Sequence, residues 1–185
     1  MGLPEPAGPG NGVSGRVEFV ELGPLSVREW VDLTGHERAP FGPAAAGLVF
    51  RPKDRHLAVR DADDRLVAAV GLAVATVEVE GHEPFEVVGV GALIVHESAR
   101  GGGLGAALIE RVKRLVEDTG PDRAMLFCRA ELMPLYGRVG YRPVEAPVRV
   151  DQPDGPVEMP IPAMWRPLRP VEWPAGAVRL RGLPF

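Results

Sequence analysis

Arg100-Gly101-Gly102-Gly103-Leu104-Gly105 carries the clearest chemistry in the chain. An apolar, strand-like run precedes these residues and a helix-like run follows. Backbone N–H groups at a helix start have no internal partner. Successive N–H groups in a tight turn form a concave nest for an anion, and the helix dipole adds partial positive charge there. Side chains would block a phosphate's approach, so glycines suit the place where one sits. The stretch from Arg100 to Ala106 therefore fits a phosphate or pyrophosphate cradle, with the Arg100 side chain at its mouth. A turn that binds nothing is the plain alternative. It would need only one glycine, and four cost conformational entropy.

Two familiar phosphate loops fit less well. A P-loop needs Gly-Lys-Ser/Thr, and Gly105 is followed by Ala106-Ala107. Gly101, Gly103 and Ala106 match the dinucleotide pattern G-x-G-x-x-G/A, as a lone match can by chance. The next strand, however, ends in Cys128-Arg129 and offers no acid for a ribose.

A second group of reactive side chains follows the loop. Cys128 and Arg129 end the apolar run "RAMLFCR", and Tyr136 lies in "LYGRVGY". A phenol has a pKa of about 10, so Tyr136 is expected protonated at neutral pH and able to donate. Its alternative is a core aromatic on a short helix. A lone cysteine is usually a small hydrophobe, and no base beside Cys128 is evident to activate it. Arg129 reads equally as a ligand to an acceptor or phosphate and as a solvated strand end.

The elements that must position these groups follow from periodicity. "RVEFVEL" alternates as a strand, and a short amphipathic helix starts at Ser26. "RHLAVRD", "RLVAAVGLAVATVEVE" and "PFEVVGVGALIV" read as an antiparallel meander with short turns. Leu104, Leu108, Val112 and Leu115 repeat at helical spacing after the loop. With "RAMLFCR" as the next strand, residues 87–129 form a βαβ unit. "ELMPLYGRV" is a short helix, and Asp154-Gly155 marks a hairpin between two last strands. The order is β-α-β-β-β-α-β-α-β-β. The expected fold is α+β: a mixed, mostly antiparallel central sheet with flanking helices and one crossover. Residues 1–15 read as a disordered leader without signal-peptide features. Residues 16–165 read as the domain, and 166–185 as a Pro-rich tail wrapped on its surface.

Taken together, the loop and "LYGRVGY" resemble the GNAT superfamily, the Gcn5-related N-acetyltransferases. The first matches that family's Arg/Gln-x-x-Gly-x-Gly/Ala motif. The second is similar to its aromatic-helix signature, Tyr followed by x-x-x-Gly-Phe/Tyr. The resemblance covers roughly residues 16–165. It implies acetyl-CoA as cosubstrate, with the pyrophosphate on Arg100, Gly101, Gly102, Gly103, Leu104, Gly105 and Ala106. It implies main-chain contacts from Leu93, Ile94 and Val95 to the pantetheine arm, and Tyr136 near the thioester sulfur. Many relatives carry Glu or His nine or eleven positions before the arginine; here Gly91 and Gly89 stand there, which leaves the base unassigned. "GVG" instead suggests a β-bulge or a close approach to the backbone.

The expected activity is transfer of an acetyl group to a primary amine, of a small molecule, by direct attack in a ternary complex. The alternative is a GNAT-like module that binds acyl-CoA without turnover. The tail "EWPAGAV" faintly resembles the end of the aminoglycoside 2′-N-acetyltransferases. "APFGPAAAGLVF", the hairpin and the tail would build the acceptor pocket, where Asp151, Asp154 and Glu158 could attract a cation.

Composition sets the outer bounds. The chain has 185 residues, 45% hydrophobic and 25% charged, and a net charge of −4. That suits one soluble domain without a nucleic-acid footprint. No apolar run approaches a membrane span. One cysteine allows no internal disulfide and fits a cytoplasmic home. The four histidines lie far apart, so no metal site is expected. Homodimer formation is left open.

Overall fold

The structure is a computed structural model that describes residues 17–34, 45, 47–116 and 120–185. The leader and residues 35–44 and 46 lie outside the described residues.

The meander forms as its alternation requires. β1 (Glu18–Leu22) pairs antiparallel with β2 (Arg55–Arg60), and β2 with the first half of β3 (Leu66–Val79). β3 pairs antiparallel with β4 (Phe85–Val95). The first eight residues of β3 are all buried, because helices cover both faces of the sheet there. Such a strand reads as an unbroken apolar run. On one face lies α1 (Val27–Thr34), with Leu33 packed in a cluster with Ala58, Leu66, Ala69 and Ile94. A capping box starts this helix: Glu29 N–H donates to Ser26 Oγ at 3.3 Å and Ser26 N–H to Glu29 Oε2 at 2.9 Å. On the other face, α2 (Leu104–Val116) buries Leu108, Ile109, Val112 and Val116.

α2 carries the chain over to β5 (Arg123–Phe127), which pairs parallel with β4. A 3-10 turn and α3 (Met133–Arg138) follow. The two strands expected around the Asp154-Gly155 turn are each broken in two: β6 (Arg142–Pro143) and β7 (Val148–Val150), then β8 (Val157–Glu158) and β9 (Ala163–Pro167). Pro147, Pro160 and Pro162 fall in the breaks, where a residue without N–H cannot continue a ladder. β9 lies antiparallel to β5 and carries β6 on its far edge.

The last twenty residues depart from the surface tail expected for them. Val178–Leu180 is β10, inserted between the second half of β3 and β7. The long outer edge of β3 is thus shared, β2 taking its first half and β10 its second. Among the described residues the sheet runs β6-β9-β5-β4-β3-β10-β7-β8, with β2 and β1 branching from β3. This is the α+β architecture expected, with the β4–α2–β5 crossover and mostly antiparallel neighbours; the C-terminal segment adds a second parallel pair, β7 with β10. β10 leads directly to Phe185, which is 3% exposed.

Candidate active site

The β4–β5 register ends at Val90↔Leu126. Beyond it the two strands part. β5 stays with β9, through Phe127↔Ala163, and Cys128 N–H donates to Pro162 O at 3.0 Å. β4 stays with β3, through Ile94↔Ala69 and Val95↔Ala68. The register with β3 slips between these pairs and Gly91, and Ala92 takes a φ of 50°. This bulge lies just past the "GVG" where the sequence suggested one. It bends β4 away from β5 and opens the sheet.

The opening is a pocket of ≈ 410 Å³. Val90–Leu93 form one wall, and Phe127–Arg129, Leu132 and Tyr136 form another. Arg51, Lys53 and His56 close it from the β2 side, and Phe185 reaches it from the C-terminal segment.

The glycine loop follows β4 through a 3-10 turn at Glu97–Ala99 and leads into α2. Gly101 and Gly103 take φ of 84° and 76°, the left-handed region that glycine enters without a Cβ penalty. Among the described residues, nothing beyond the adjoining residues lies within 4 Å of a Cβ built on either. A Cβ on Gly102 would meet only Ala99 O at 3.8 Å, and one on Gly105 would make ordinary contacts at 3.7 Å. The protein's own packing therefore does not demand all four glycines, and the loop leaves open space over the start of α2. Arg100 is used within the protein: its Nε donates to Val95 O at 3.0 Å, tying the loop to the end of β4. Leu93 and Val95 pack toward the α2 core, and Ile94 toward α1.

Tyr136 is 7% exposed and stacks edge-on with Tyr141 at 5.9 Å. Burial, and then the neighbouring Cys128, raise its pKa well above the ordinary phenol value. It is a firm proton holder at neutral pH. Burial likewise pushes the Cys128 thiol up to about 11, and its Sγ lies 3.8 Å from Met164 Sδ. A protonated thiol against a thioether is a poor nucleophile. Arg129 pairs with Glu131 at 3.3 Å on the rim.

Three pocket residues carried no functional signal in the sequence reading. Lys53 is half-buried, and its Nζ donates to Arg51 O at 3.1 Å. Burial, and then the Arg51 charge, bring its pKa down to about 8. His56 is 6% exposed with Nδ1 2.8 Å from Gly23 O, and burial lowers its pKa below the ordinary value. Phe185 packs against Gly89 and Gly91. A Cβ on Gly89 would stand 2.4 Å from the Phe185 ring, and one on Gly91 would stand 2.6 Å from its main-chain carbon. The close approach suggested for "GVG" is thus made by the chain's own C-terminal segment. Composition held one clue to Lys53: it is one of two lysines, with Lys113, in a chain of nineteen arginines.

Residues 45–153 match the family described as the acetyltransferase (GNAT) domain. The chain belongs to the GNAT acetyltransferase family. Solved structures share its fold. YhbS from Escherichia coli, a GNAT family N-acetyltransferase in complex with CoA, aligns at a TM-score of 0.63 and 20% identity, over 97% of this chain and 93% of that one. Escherichia coli ElaA aligns at 0.55 and 24% identity, over 82% and 99%. An N-acetyltransferase-like protein from Lactobacillus plantarum aligns at 0.56 and 14% identity, over 83% and 99%. No curated protein matches the chain.

In this GNAT acetyltransferase, Tyr136 and the strand before the loop come together at one pocket, with the glycine loop at the far end of that strand. The acids named for a cationic acceptor do not line that pocket. Asp151 is held by Arg179 at 2.9 Å and by Gly182 N–H at 2.8 Å, while Asp154 and Glu158 are exposed on the β7–β8 hairpin. Of the stretch expected to wall the acceptor, Phe50 lines the pocket, and residues 39–44 and 46 lie outside the described residues. No helix among the described residues is long and apolar enough to cross a membrane.

Proposed function

We propose that the protein moves an acetyl group from acetyl-CoA to the primary amine of a small molecule, by direct attack in a ternary complex. The observation that carries this reading is the opening beyond Val90↔Leu126. It sets a stretch of β4 that β5 leaves unpaired beside a protonated tyrosine, and the same strand leads on to an uncluttered glycine loop at a helix start.

In this reading the pyrophosphate rests on N–H groups from Gly101 to Ala106, where helix N-terminal amides and the dipole favour an anion. The pantetheine arm follows Leu93, Ile94 and Val95 along β4. The thioester then lies between Gly91 and Cys128, within reach of Tyr136. The amine nitrogen attacks the carbonyl carbon, the C–S bond breaks, and the Tyr136 hydroxyl protonates the departing sulfur. Cys128, with a raised pKa and a methionine neighbour, supports direct attack over an acyl-cysteine. A pocket of ≈ 410 Å³ suits a small acceptor. Its charged lining residues, Arg51, Lys53 and Arg129, are basic, which favours a monoamine over a polycation.

The test is a panel of amines with acetyl-CoA and a thiol readout, beside calorimetric titration of the coenzyme. The panel holds amino acids, aryl-alkyl amines, polyamines, aminoglycosides and lysine peptides. Amine-dependent thiol release from small monoamines is expected. Tight coenzyme binding without release for any amine would make the protein a binding module instead.

A further inference from the structure

We infer that Lys53 is the proton acceptor that activates the incoming amine, an assignment that rests on the transferase reading above.

Amines arrive at neutral pH as ammonium ions, which cannot attack. Something in the pocket must take a proton. The β4 wall offers Gly89 and Gly91, which carry no side chain. The volume in front of them is filled from elsewhere. A Cβ on Gly91 would stand 3.0 Å from Lys53 Cε and 2.6 Å from the Phe185 main-chain carbon, and a Cβ on Gly71 would stand 2.2 Å from Lys53 Cγ. Two glycines thus make a channel for one lysine, which delivers its amine to the side of the pocket facing β4. Packing of this kind spends backbone freedom to seat a charged side chain indoors.

Burial and the nearest cation favour the neutral form of Lys53. Arg51, on the same connection, adds a like charge and is itself held by Asp54 at 3.3 Å on the exposed side. His56, from β2, lies over the same glycine, with Nε2 3.3 Å from the Gly71 Cβ point. The C-terminal segment brings the Phe185 α-carboxyl group, 2.6 Å at its carbon from the Gly91 Cβ point, and its charge works against the neutral form. Across the pocket stand Cys128, Arg129 and Tyr136. Glu29 acts on His56. Among the described side chains no carboxylate salt-bridges Lys53. Its hydrogen bond to Arg51 O uses one N–H, and a neutral amine keeps its lone pair free for a proton.

Base strength separates Lys53 from His56. Proton transfer works best when donor and acceptor are matched near the working pH. An acceptor that titrates at about 8 lies closer to an alkylammonium than does an imidazole held below its ordinary value. Arginine could not serve at all, since its guanidinium stays protonated. In a chain with nineteen arginines and two lysines, a lysine at this point supplies a group able to titrate.

The protons balance. The ammonium acceptor loses two. The first goes to Lys53 Nζ and on to solvent, freeing the lone pair that forms the C–N bond. The second leaves the nitrogen as the C–S bond breaks, and replaces the proton that Tyr136 gives to sulfur.

The experiment measures kcat/KM against pH for the wild type, Lys53→Met, Lys53→Arg and His56→Gln, with acetyl-CoA affinity measured alongside. The wild-type profile should rise along a limb centred near pH 8 and level off above about pH 9. Lys53→Met and Lys53→Arg should each lose about 10²-fold or more at pH 7.5, the usual scale of general base catalysis. Coenzyme affinity should hold. The loss should shrink for amines of low pKa, which arrive already neutral. His56→Gln should keep the limb near pH 8. With only two lysines to label, NMR titration gives a second readout that needs no acceptor, Lys113→Arg assigning the signals. Full activity in Lys53→Arg, a limb near pH 8 surviving in Lys53→Met, or Lys53 titrating like an exposed lysine would each overturn the assignment. Wild-type turnover tests the transferase reading by itself, so the two fail separately.

Discussion

Tyr136 shows how a single side chain's environment sets its use. Its phenol is buried, and burial penalises the anion, so the group holds its proton. That makes it an acid able to meet a thiolate and excludes it as a base at neutral pH. Phe at this position keeps the ring, its packing on Tyr141 and the local burial, and removes only the hydroxyl. Tyr136→Phe should lower kcat by about 10²- to 10⁴-fold, the range typical of general acid catalysis, with acetyl-CoA affinity little changed. Steady-state kinetics across acyl donors of differing thiol pKa decides the role. The deficit should narrow as the thiol becomes more acidic, because a stable thiolate leaves without help. A deficit that ignores leaving-group pKa would reduce the tyrosine to a positioning role.

At the scale of elements, β10 and the residues after it are the unexpected part of the design. Phe185 lies across Gly89 so closely that any side chain there must displace it. Its ring also meets Phe127 at a centroid distance of 5.4 Å, so it bridges the two strands at the base of the opening. Gly89→Ala should therefore lower the melting temperature, and Phe185→Ala should cost about 3–5 kcal/mol as a large core truncation. The double variant should cost clearly less than the sum, because once the ring is gone the new methyl has room. Denaturant unfolding of the four proteins reads this coupling. Additive costs would show that Gly89 serves some other purpose. The glycine loop, Tyr136, the meander and the crossover were legible in the sequence because each rests on local spacing. β10 was not, since three residues pair with β3 about a hundred positions earlier, and nothing in a Pro-rich stretch marks that partner. Lys53 escaped for a related reason. It stands in an irregular connection with no period to read, and only Gly71 and Gly91, from two other strands, give it meaning.

Over the whole molecule, buried titratable groups of opposite kind give stability a maximum in the alkaline range. Lys53 titrates at about 8 in the folded protein against 10.5 for the free side chain. Between those values the unfolded chain binds more protons than the folded one, so stability rises with pH. The rise begins near pH 8 and is complete above 10.5; as pH falls it is lost across the same window, and is gone below 8. Its full size is about 3 kcal/mol if the lysine were fully shielded, and smaller for a half-buried group that solvent partly screens. Tyr136 and Tyr141 act the other way. Both are buried and hold their protons past the ordinary phenol pKa, so above about pH 10 the unfolded chain binds fewer protons and stability falls. Cys128 does the same from about pH 9, its thiol being held up to about 11 by burial, so the wild-type protein should gain stability from pH 8 to about 9, level off, and lose stability above about pH 10. Urea unfolding at a series of pH values measures both limbs. Lys53→Met should flatten the rising limb and leave the falling one. Tyr136→Phe should do the reverse in part, leaving the share that belongs to Tyr141. A wild-type curve that is flat or falling from pH 8 to 9, with Lys53→Met parallel to it, would show that the lysine's charge is not suppressed by the fold.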